Sequence, residues 1–237
     1  MTAQTMGTIV FDLDGTLVDT AADLIDALNL TLSEHGLATL PYNDARRLIG
    51  GGVNKMIERA LVANTSVADM NALYAAFVAH YTDHIADQSR PFPGLEPVLD
   101  RLATAGYRLA VCTNKLERLS KMLLDKLRLS SRFAAICGQD TFGIQKPDPR
   151  TFRATVKRAG GEAGRAIMVG DSIIDIRTAR AAAVPVIAVD FGYAEVPVET
   201  LRPDRVISSF TELPFAIDAL ASPALTFRAI WDTKPDL

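Results

Sequence analysis

Two carboxylates one residue apart, Asp12 and Asp14, follow a short apolar run near the start of the chain. The run, residues 9–11, has the partly β-branched composition of a strand that is buried on both faces. Because a carboxylate loses its water at the end of a buried strand, the pair indicates a cation or phosphoryl group there. Gly15 permits a sharp turn with free backbone N–H groups, and Thr16 adds a hydroxyl donor. The plainer alternative is an Asp-rich turn that only closes the strand.

Polar side chains also follow three later apolar runs, at residues 109–112, 134–137 and 166–169. They are Thr113 and Asn114 after the first run, Lys146 in the connection after the second, and Asp171 and Asp175 after the third. Strand and helix patterns alternate through this region, which is typical of a parallel, doubly wound sheet. Such a sheet binds ligands at the carboxyl ends of its strands, so we expect these side chains to meet the first acid pair.

Hydrolysis of a phosphate monoester would use these residue types. The reaction needs a nucleophile in line with the leaving oxygen, neutralisation of phosphoryl charge, and a proton for the leaving oxygen. Asp12 can attack phosphorus, and Asp14 can protonate the leaving oxygen and later take a proton from water. Lys146 supplies a fixed positive charge, while Thr113 and Asn114 offer donors to phosphoryl oxygens at a helix N-terminus.

Structural roles can also explain several of these residues. Thr113 and Lys146 are residue types that are common after strands, and Asn114 can be a turn residue. Asp175 lies one helical turn beyond Asp171, where it can orient Lys146 or a metal-bound water, or simply stabilise the start of a helix.

The pattern as a whole predicts an α/β protein, a doubly wound parallel sheet with an inserted all-helical cap domain. Between residues 20 and 90 the apolar residues recur at helical spacing, and no strand pattern is found between Thr16 and Arg90. We therefore predict a discontinuous core, residues 1–19 and 91–237, and a helical cap, residues 20–90.

Three helical stretches are predicted within the cap. Thr20 is placed to N-cap the first stretch. The second carries Leu48 and Ile49, breaks at Gly50–Gly52 and resumes, and the third runs from about residue 67 to residue 85.

The types and order of the polar residues resemble the four signatures of the haloacid dehalogenase-like hydrolases, most of which are phosphatases. The matching segments are Asp12-Leu13-Asp14-Gly15-Thr16, Thr113-Asn114, Lys146, and Gly170-Asp171-Ser172-Ile173-Ile174-Asp175. The resemblance implies a Rossmann-like core, an aspartyl-phosphate on Asp12, and Mg²⁺ held by Asp12, the backbone carbonyl of Asp14, and Asp171. Asp14 favours phosphatase chemistry, because the dehalogenases that name the superfamily lack this second acid.

A cap segment resembles the phosphoglycolate phosphatase subgroup of that family. It runs from Arg46 through Gly50 to Gly52, and Thr113-Asn114-Lys115 and Phe191-Gly192-Tyr193 also look like that subgroup. Glycines let backbone N–H groups approach a ligand, and an arginine can hold a small carboxylate with two hydrogen bonds. Arg46 is the favoured candidate for this contact, and Arg47 stays open as the alternative. The alternative is a solvated basic helix end followed by a helix break.

The expected substrate is therefore a small phosphate ester, with 2-phosphoglycolate favoured. Another metabolite such as a sugar phosphate, or a β-phosphoglucomutase-like phosphoryl transfer, stays open at this stage. A phospho-acceptor or binding module is disfavoured, because every group that hydrolysis needs is present. Receiver modules share some of these residues but are about half as long and lack the Asp-x-Asp-Gly-Thr spacing.

Composition and charge limit the classes of partner that we expect the protein to bind. The 237 residues carry a formal net charge of −3, which gives no electrostatic case for nucleic acid or an acidic membrane. No apolar run approaches the length of a membrane span and the start lacks a basic signal-peptide head, so we expect a cytoplasmic protein. We expect it to be a monomer or a homodimer. Cys112 and Cys137 are expected to be buried free thiols, and His35, His80 and His84 to be surface histidines. The segment from Ser222 suggests no role.

Overall fold

A six-stranded parallel sheet is the centre of the fold in the computed structural model, which describes residues 6–220. The strands in chain order are β1 (Gly7–Phe11), β2 (Val18–Asp19), β3 (Arg90–Pro91), β4 (Tyr107–Cys112), β5 (Ala135–Cys137), β6 (Ala166–Gly170), β7 (Val186–Val189) and β8 (Arg205–Ile207). The large sheet has the spatial order β5-β4-β1-β6-β7-β8, with every pair parallel. This confirms the predicted doubly wound α/β core.

Helices cover both faces of this sheet and fill the connection after its first strand. They are α1 (Ala21–Glu34), α2 (Tyr42–Arg46), α3 (Val53–Ala63), α4 (Met70–Asp83), α5 (Leu95–Thr104), α6 (Glu117–Lys126), α7 (Pro149–Arg158), α8 (Ile173–Ala182) and α9 (Leu213–Leu220). Short 3₁₀ helices lie at Ser130–Arg132, Ala163–Arg165, Val198–Leu201 and Phe210–Glu212. None of the helices in the described part of the chain has the length and apolar character needed to cross a membrane.

Strand β1 is buried on both faces, as its composition predicts. Ile9 and Phe11 belong to the apolar layer formed with α5, α6 and α9, whereas Val10 belongs to the opposite layer with α7 and α8. The alternation follows from the period of two in a strand. Burial of each such side chain stabilises the fold by about 1.5–3 kcal/mol, which anchors the strand that carries the acid pair.

The predicted absence of strands between Thr16 and residue 90 is wrong in one detail. Strands β2 and β3 pair antiparallel, with Val18 opposite Pro91 and Asp19 opposite Arg90. Together they tie the start of the helical insertion, α1–α4, to its end. Two-residue strands have no period to detect, and these form only because segments far apart in sequence meet.

Other boundaries also differ from the expectation. The second helical stretch ends at Arg46, so Leu48 and Ile49 lie in the irregular segment before α3 rather than in a helix. Strand β8 and helix α9 were not predicted. Residues 1–5 and 221–237, which the prediction placed in the core, lie outside the described residues. The segment from Ser222 is among them.

The expected environments of the sulfur and imidazole groups mostly hold. Cys112 and Cys137 are buried free thiols. His35 and His84 are exposed, while His80 is half-buried and lies 2.7 Å from Glu34.

Candidate active site

The cleft lies where β1 separates β4 from β6, because the connections after these strands leave toward opposite sides of the sheet. The helical insertion covers it from the other side. Its lining residues are Asp12, Asp14, Leu24, Ile49, Gly50, Gly51, Gly52, Val53, Met56, Thr113, Asn114, Lys115, Lys146, Asp171, Ser172, Ile174 and Tyr193. The strand-end residues therefore meet at one edge of the sheet, as the doubly wound pattern predicts.

Asp12 is held by one of its two carboxylate oxygens. Oδ1 accepts a hydrogen bond from the Leu13 backbone N–H at 2.7 Å and lies 2.9 Å from Lys146 Nζ. Burial raises the pKa of Asp12 to about 6, with the Asp175 carboxylate adding to the rise and Lys146 opposing it. No hydrogen bond to Oδ2 is found among the described residues, which leaves that oxygen available to an electrophile.

Lys146 is a buried ammonium held between two carboxylates. Its Nζ lies 2.6 Å from Asp175 Oδ1 as well as near Asp12, and its side chain is 1% exposed. Although burial alone would lower the pKa of Lys146, the carboxylates of Asp12 and Asp175 hold it above its usual value. The positive charge is thus permanent across the pH range in which enzymes work.

The side chain of Asn114 sets the place of Lys146. Asn114 donates to the Lys146 carbonyl at 3.0 Å and accepts from the Lys146 N–H at 2.9 Å. The sequence had suggested Asn114 as a phosphoryl donor at a helix N-terminus, but α6 begins only at Glu117 and the amide clamps this backbone instead. Asn114 is therefore a positioning residue in this structure.

Asp171 is fixed by a donor on each oxygen. Thr16 Oγ1 donates to Oδ1 at 3.1 Å and the Tyr193 N–H donates to Oδ2 at 2.7 Å. Burial raises the pKa of Asp171 to about 8, with the carboxylates of Asp175 and Asp12 contributing to the rise. Thr16, expected to bind phosphate, is absent from the cleft lining and orients this acid.

Asp175 performs both roles that the sequence left open. Its Oδ1 contacts Lys146, while its Oδ2 accepts from the Ser172 N–H at 3.1 Å and from the Ser172 hydroxyl at 2.6 Å. The Ser172–Asp175 pair is a capping box at the start of α8. One carboxylate thus starts the helix and orients the buried lysine.

Three glycines allow close approach at the cleft. Gly15, also absent from the lining, has φ +79°, and a Cβ there would lie 2.5 Å from Asp171 Oδ2. Gly50 and Gly52 have φ +118° and +90° and line the cleft from the insertion. A Cβ on Gly52 would come within 3.0 Å of the Asn114 carbonyl, so the insertion touches the loop after β4 here.

The acids are arranged as a cation site. Ligand oxygens of Asp12, Asp171 and Asp175 all lie within 4.8 Å of one another. Among the described residues, Lys146 is the ammonium that contacts this cluster, of which Asp171 and Asp175 are buried and Asp12 is half-buried. Burial, with repulsion between the carboxylates, raises the pKa of Asp12 and of Asp171. An all-oxygen donor set of this charge fits a hard divalent cation. The carboxylate of Asp175 joins the cluster, although the resemblance placed it outside the ligand set.

Asp14 is ion-paired to a residue to which the sequence assigned no role. Lys115 Nζ lies 3.0 Å from Asp14 Oδ1 and 3.2 Å from Oδ2, and Thr20 Oγ1 donates to Oδ1 at 2.8 Å. The same ammonium lies 4.3 Å from the ring centroid of Tyr81 on α4. The Thr20 hydroxyl therefore binds Asp14 and makes no capping hydrogen bond to α1, contrary to the prediction that the side chain of Thr20 caps this helix.

Tyr193 takes over the capping of α1. Its hydroxyl accepts from the backbone N–H groups of Thr20 and Ala21, at 2.6 and 3.0 Å, and donates to Asp19 Oδ1 at 2.7 Å. Because the Tyr193 N–H also binds Asp171, this residue joins the acid cluster to the start of the insertion.

Arg46 reaches the same loop rather than the cleft. Its Nη2 donates to the Gly192 carbonyl at 2.8 Å, and its guanidinium carbon lies 5.0 Å from the Tyr193 ring centroid. Arg46 is not among the cleft-lining residues, and Arg47 is exposed. Thr113 does line the cleft, and its hydroxyl accepts from the Lys115 N–H at 3.2 Å.

Lys115 and Tyr193 are two polar residues of the site to which the sequence analysis assigned no role. Their only signal was position, since Lys115 follows Thr113-Asn114 directly and Tyr193 ends Phe191-Gly192-Tyr193. Partners 101 and 173 residues away cannot be read from spacing.

Comparison with known proteins agrees with this geometry. Residues 9–189 match the haloacid dehalogenase-like hydrolase family. A phosphoglycolate phosphatase of Agrobacterium fabrum is 50% identical over 211 residues, 88% of this chain and 91% of that protein. One of Caulobacter vibrioides is 49% identical over 212 residues, with 88% and 90% covered.

A solved structure shows the same likeness in three dimensions. A predicted phosphoglycolate phosphatase from Haemophilus somnus 129PT superposes with a TM-score of 0.84 at 26% identity, covering 90% of this chain and 98% of the other. The match to the family spans β1 to β7 and thus every acid of the cluster. The chain therefore belongs to the haloacid dehalogenase-like hydrolases, and within them it resembles the phosphoglycolate phosphatases.

Proposed function

We propose that the chain, a phosphoric monoester hydrolase of this family, hydrolyses 2-phosphoglycolate with Mg²⁺ through an aspartyl-phosphate on Asp12. The observation that carries the reaction type is the pairing of a half-free Asp12 carboxylate with the buried ammonium of Lys146 beside Asp171. The choice of ester is supported by relatives at 49–50% identity that are phosphoglycolate phosphatases.

In the first step, Asp12 Oδ2 attacks phosphorus and the bond from phosphorus to the ester oxygen breaks. Oδ1 stays bound to the Leu13 N–H and Lys146, so the carboxylate cannot rotate away. Lys146 neutralises part of the developing phosphoryl charge, and Thr113, which also lines the cleft, offers its hydroxyl as a donor. A Mg²⁺ ion held by Asp12, Asp171 and the backbone carbonyl of Asp14 would supply further charge neutralisation.

Asp14 carries out the two proton transfers of the reaction. It donates a proton to the leaving oxygen of glycolate, and then takes a proton from the water that cleaves the aspartyl-phosphate. Thr20 Oγ1 holds Asp14 Oδ1 from the insertion side, which orients the carboxyl group toward the cleft that it lines. Water attack regenerates Asp12 and releases phosphate.

We propose that residues 20–90 act as the cap and residues 1–19 and 91–237 as the core. The paired strands β2 and β3 form the two-stranded connection between the cap and the core. The glycine segment 50–52 then lines the cleft from the cap, opposite the loop after β4. A cap of this kind excludes water from the phosphoryl group and selects the leaving group.

Two other substrates fit the same core chemistry. A sugar phosphate would need hydrogen-bond partners for several hydroxyl groups, whereas the insertion residues in the lining are mostly glycine and apolar: Leu24, Ile49, Gly50, Gly51, Gly52, Val53 and Met56. A β-phosphoglucomutase-like transfer would return the phosphoryl group to a sugar. Both are disfavoured by a cleft that presents few polar side chains on this wall.

A panel of phosphate monoesters assayed with Mg²⁺ tests the proposal. We expect kcat/KM for 2-phosphoglycolate to exceed that for ethyl phosphate and for glucose phosphates, and a chelator to abolish turnover. The Asp12→Asn variant should form no acid-stable, base-labile phosphoenzyme. Preference for a sugar phosphate, or a phosphoenzyme in Asp12→Asn, would overturn the assignment. A cytoplasmic location and a monomer or homodimer stay predictions, checked by fractionation and light scattering.

A further inference from the structure

The cleft offers two ammonium groups among its described lining residues, Lys146 and Lys115. They differ in how they are neutralised. Lys146 lies between Asp12 and Asp175, at 2.9 and 2.6 Å, so it is committed to the phosphoryl end of the site. Among residues 6–220, Lys115 has a single carboxylate partner, Asp14, and its ammonium also lies over the face of the Tyr81 ring.

From this difference we infer that Lys115 is the receptor for the carboxylate of the substrate's leaving group, and that its ion pair with Asp14 is the resting contact which that carboxylate replaces. The inference rests on the proposed function, which it deepens by naming the residue that selects 2-phosphoglycolate. It also differs from the sequence expectation, which favoured Arg46 for the carboxylate and left Arg47 as the alternative.

The position of Lys115 follows from the chemistry of Asp14. A general acid must lie within hydrogen-bond distance of the leaving oxygen. Lys115 Nζ lies within that distance of both Asp14 oxygens, at 3.0 and 3.2 Å. The ammonium is therefore one carboxyl group away from the leaving oxygen. In 2-phosphoglycolate the carboxylate is attached to the carbon that bears this oxygen, so it falls beside Lys115.

The exchange of partners leaves no group unpaired. When Lys115 turns to the substrate carboxylate, Asp14 keeps the hydrogen bond from Thr20 Oγ1 at 2.8 Å. The Lys115 side chain is 3% exposed, so the incoming ion pair is formed away from bulk water, where it is stronger than at a surface. The Tyr81 ring at 4.3 Å stabilises the ammonium with either partner.

Arg46 is engaged elsewhere. Its guanidinium donates to the Gly192 carbonyl at 2.8 Å and packs on the Tyr193 ring, outside the cleft lining. It thus holds the insertion against the loop that orients Asp171, which is a positioning role. Removal of Arg46 should affect all substrates alike, whereas removal of the Lys115 charge should affect only those with a carboxylate.

The measured quantity is the ratio of kcat/KM for 2-phosphoglycolate to kcat/KM for ethyl phosphate, which has the same length but lacks the carboxylate. Within one variant, any effect on Asp14 is common to both substrates and cancels. We expect Lys115→Met to lower the ratio roughly 10- to 150-fold, the range for losing a hydrogen bond to a charged group. Arg46→Ala and the exposed control Arg47→Ala should leave the ratio within about threefold of wild type.

Binding of an inert analogue gives a second reading that needs no turnover. The wild type should bind 3-phosphonopropionate, in which a methylene replaces the ester oxygen, more tightly than propylphosphonate, and Lys115→Met should lose that difference. If Lys115→Met keeps the ratio and the binding difference, or if Arg46→Ala loses them, Lys115 is not the receptor. A wild-type enzyme without any preference for the carboxylate would overturn the proposed substrate and this inference with it.

Discussion

Proton release on metal binding follows directly from the burial of the acid cluster. In the metal-free protein, burial and mutual repulsion raise the pKa of Asp12 to about 6 and that of Asp171 to about 8. A divalent cation binds the ionised carboxylates, so protons held at a given pH must leave when it binds. At pH 7 Asp171 is about nine-tenths protonated and Asp12 about one-tenth, from which we expect about one proton released per ion.

The number released should change with pH in a defined way. At pH 6 Asp12 is about half protonated and Asp171 almost fully, so about 1.5 protons should leave, whereas at pH 9 the number should fall to about 0.1. The slope of the logarithm of the Mg²⁺ association constant against pH equals these numbers. Calorimetric titration of the metal-free protein in buffers of different ionisation enthalpy measures them directly.

Stability of the metal-free protein should show the opposite dependence. The folded pKa values of Asp12 and Asp171 lie above the unfolded value of about 3.9, so the folded state binds protons more tightly than the unfolded state. Folding stability is then greatest at low pH with respect to these two groups, and it falls as pH rises toward about 8. Added Mg²⁺ should raise Tm more at pH 8 than at pH 6.

Two results would refute this reasoning. Mg²⁺ binding at pH 7 with no proton release would mean that the carboxylates are already ionised or are not the ligands. An Asp171→Asn variant that releases as many protons as the wild type would exclude Asp171 as their source.

Three further outcomes follow from individual contacts. Asp14→Asn should reduce kcat/KM by at least ~10²-fold for alkyl phosphates but much less for p-nitrophenyl phosphate, whose leaving group needs no proton, and equal losses would contradict the general-acid role. Asn114→Ala breaks two buried hydrogen bonds to Lys146 and should lower the free energy of unfolding by about 1–3 kcal/mol in urea, together with kcat; unchanged kcat would show that the clamp is not needed. Tyr193→Phe leaves the first N–H groups of α1 without their acceptor and should cost about 1–2 kcal/mol, measured the same way, while a neutral effect would mean that water replaces the hydroxyl.

Local pattern predicted the sheet and its acids well. Five of the six strands of the large sheet were marked by an apolar run of their own, and β8 was not. Polar residues directly after such runs must lie at strand ends, whichever way the chain continues. Because parallel strands all end at one edge, Asp12, Thr113, Lys146 and Asp171 could be brought together without coordinates. The short pair β2–β3 escaped detection because two residues carry no period.

Hydrogen-bond partners inside the site could not be predicted in the same way. Thr16 and Asp171 are 155 residues apart, and Lys115 and Asp14 are 101 apart. A donor chooses its acceptor by the distance and direction of individual atoms, which depend on how the helical insertion and the loop after β7 pack against β1.

Arg46 shows most clearly which property of a site residue the sequence alone does not predict. Its residue type and its place before three glycines favoured substrate binding, and both are properties of the sequence. The direction of its side chain is not. An arginine at the end of a five-residue helix can turn to the cleft or to the neighbouring loop, and packing on the Tyr193 ring together with the free Gly192 carbonyl directs it to the loop. Residue type and spacing indicated which chemistry the chain carries, whereas only the packing of the insertion on the core decided that Lys115 lines the cleft and Arg46 does not.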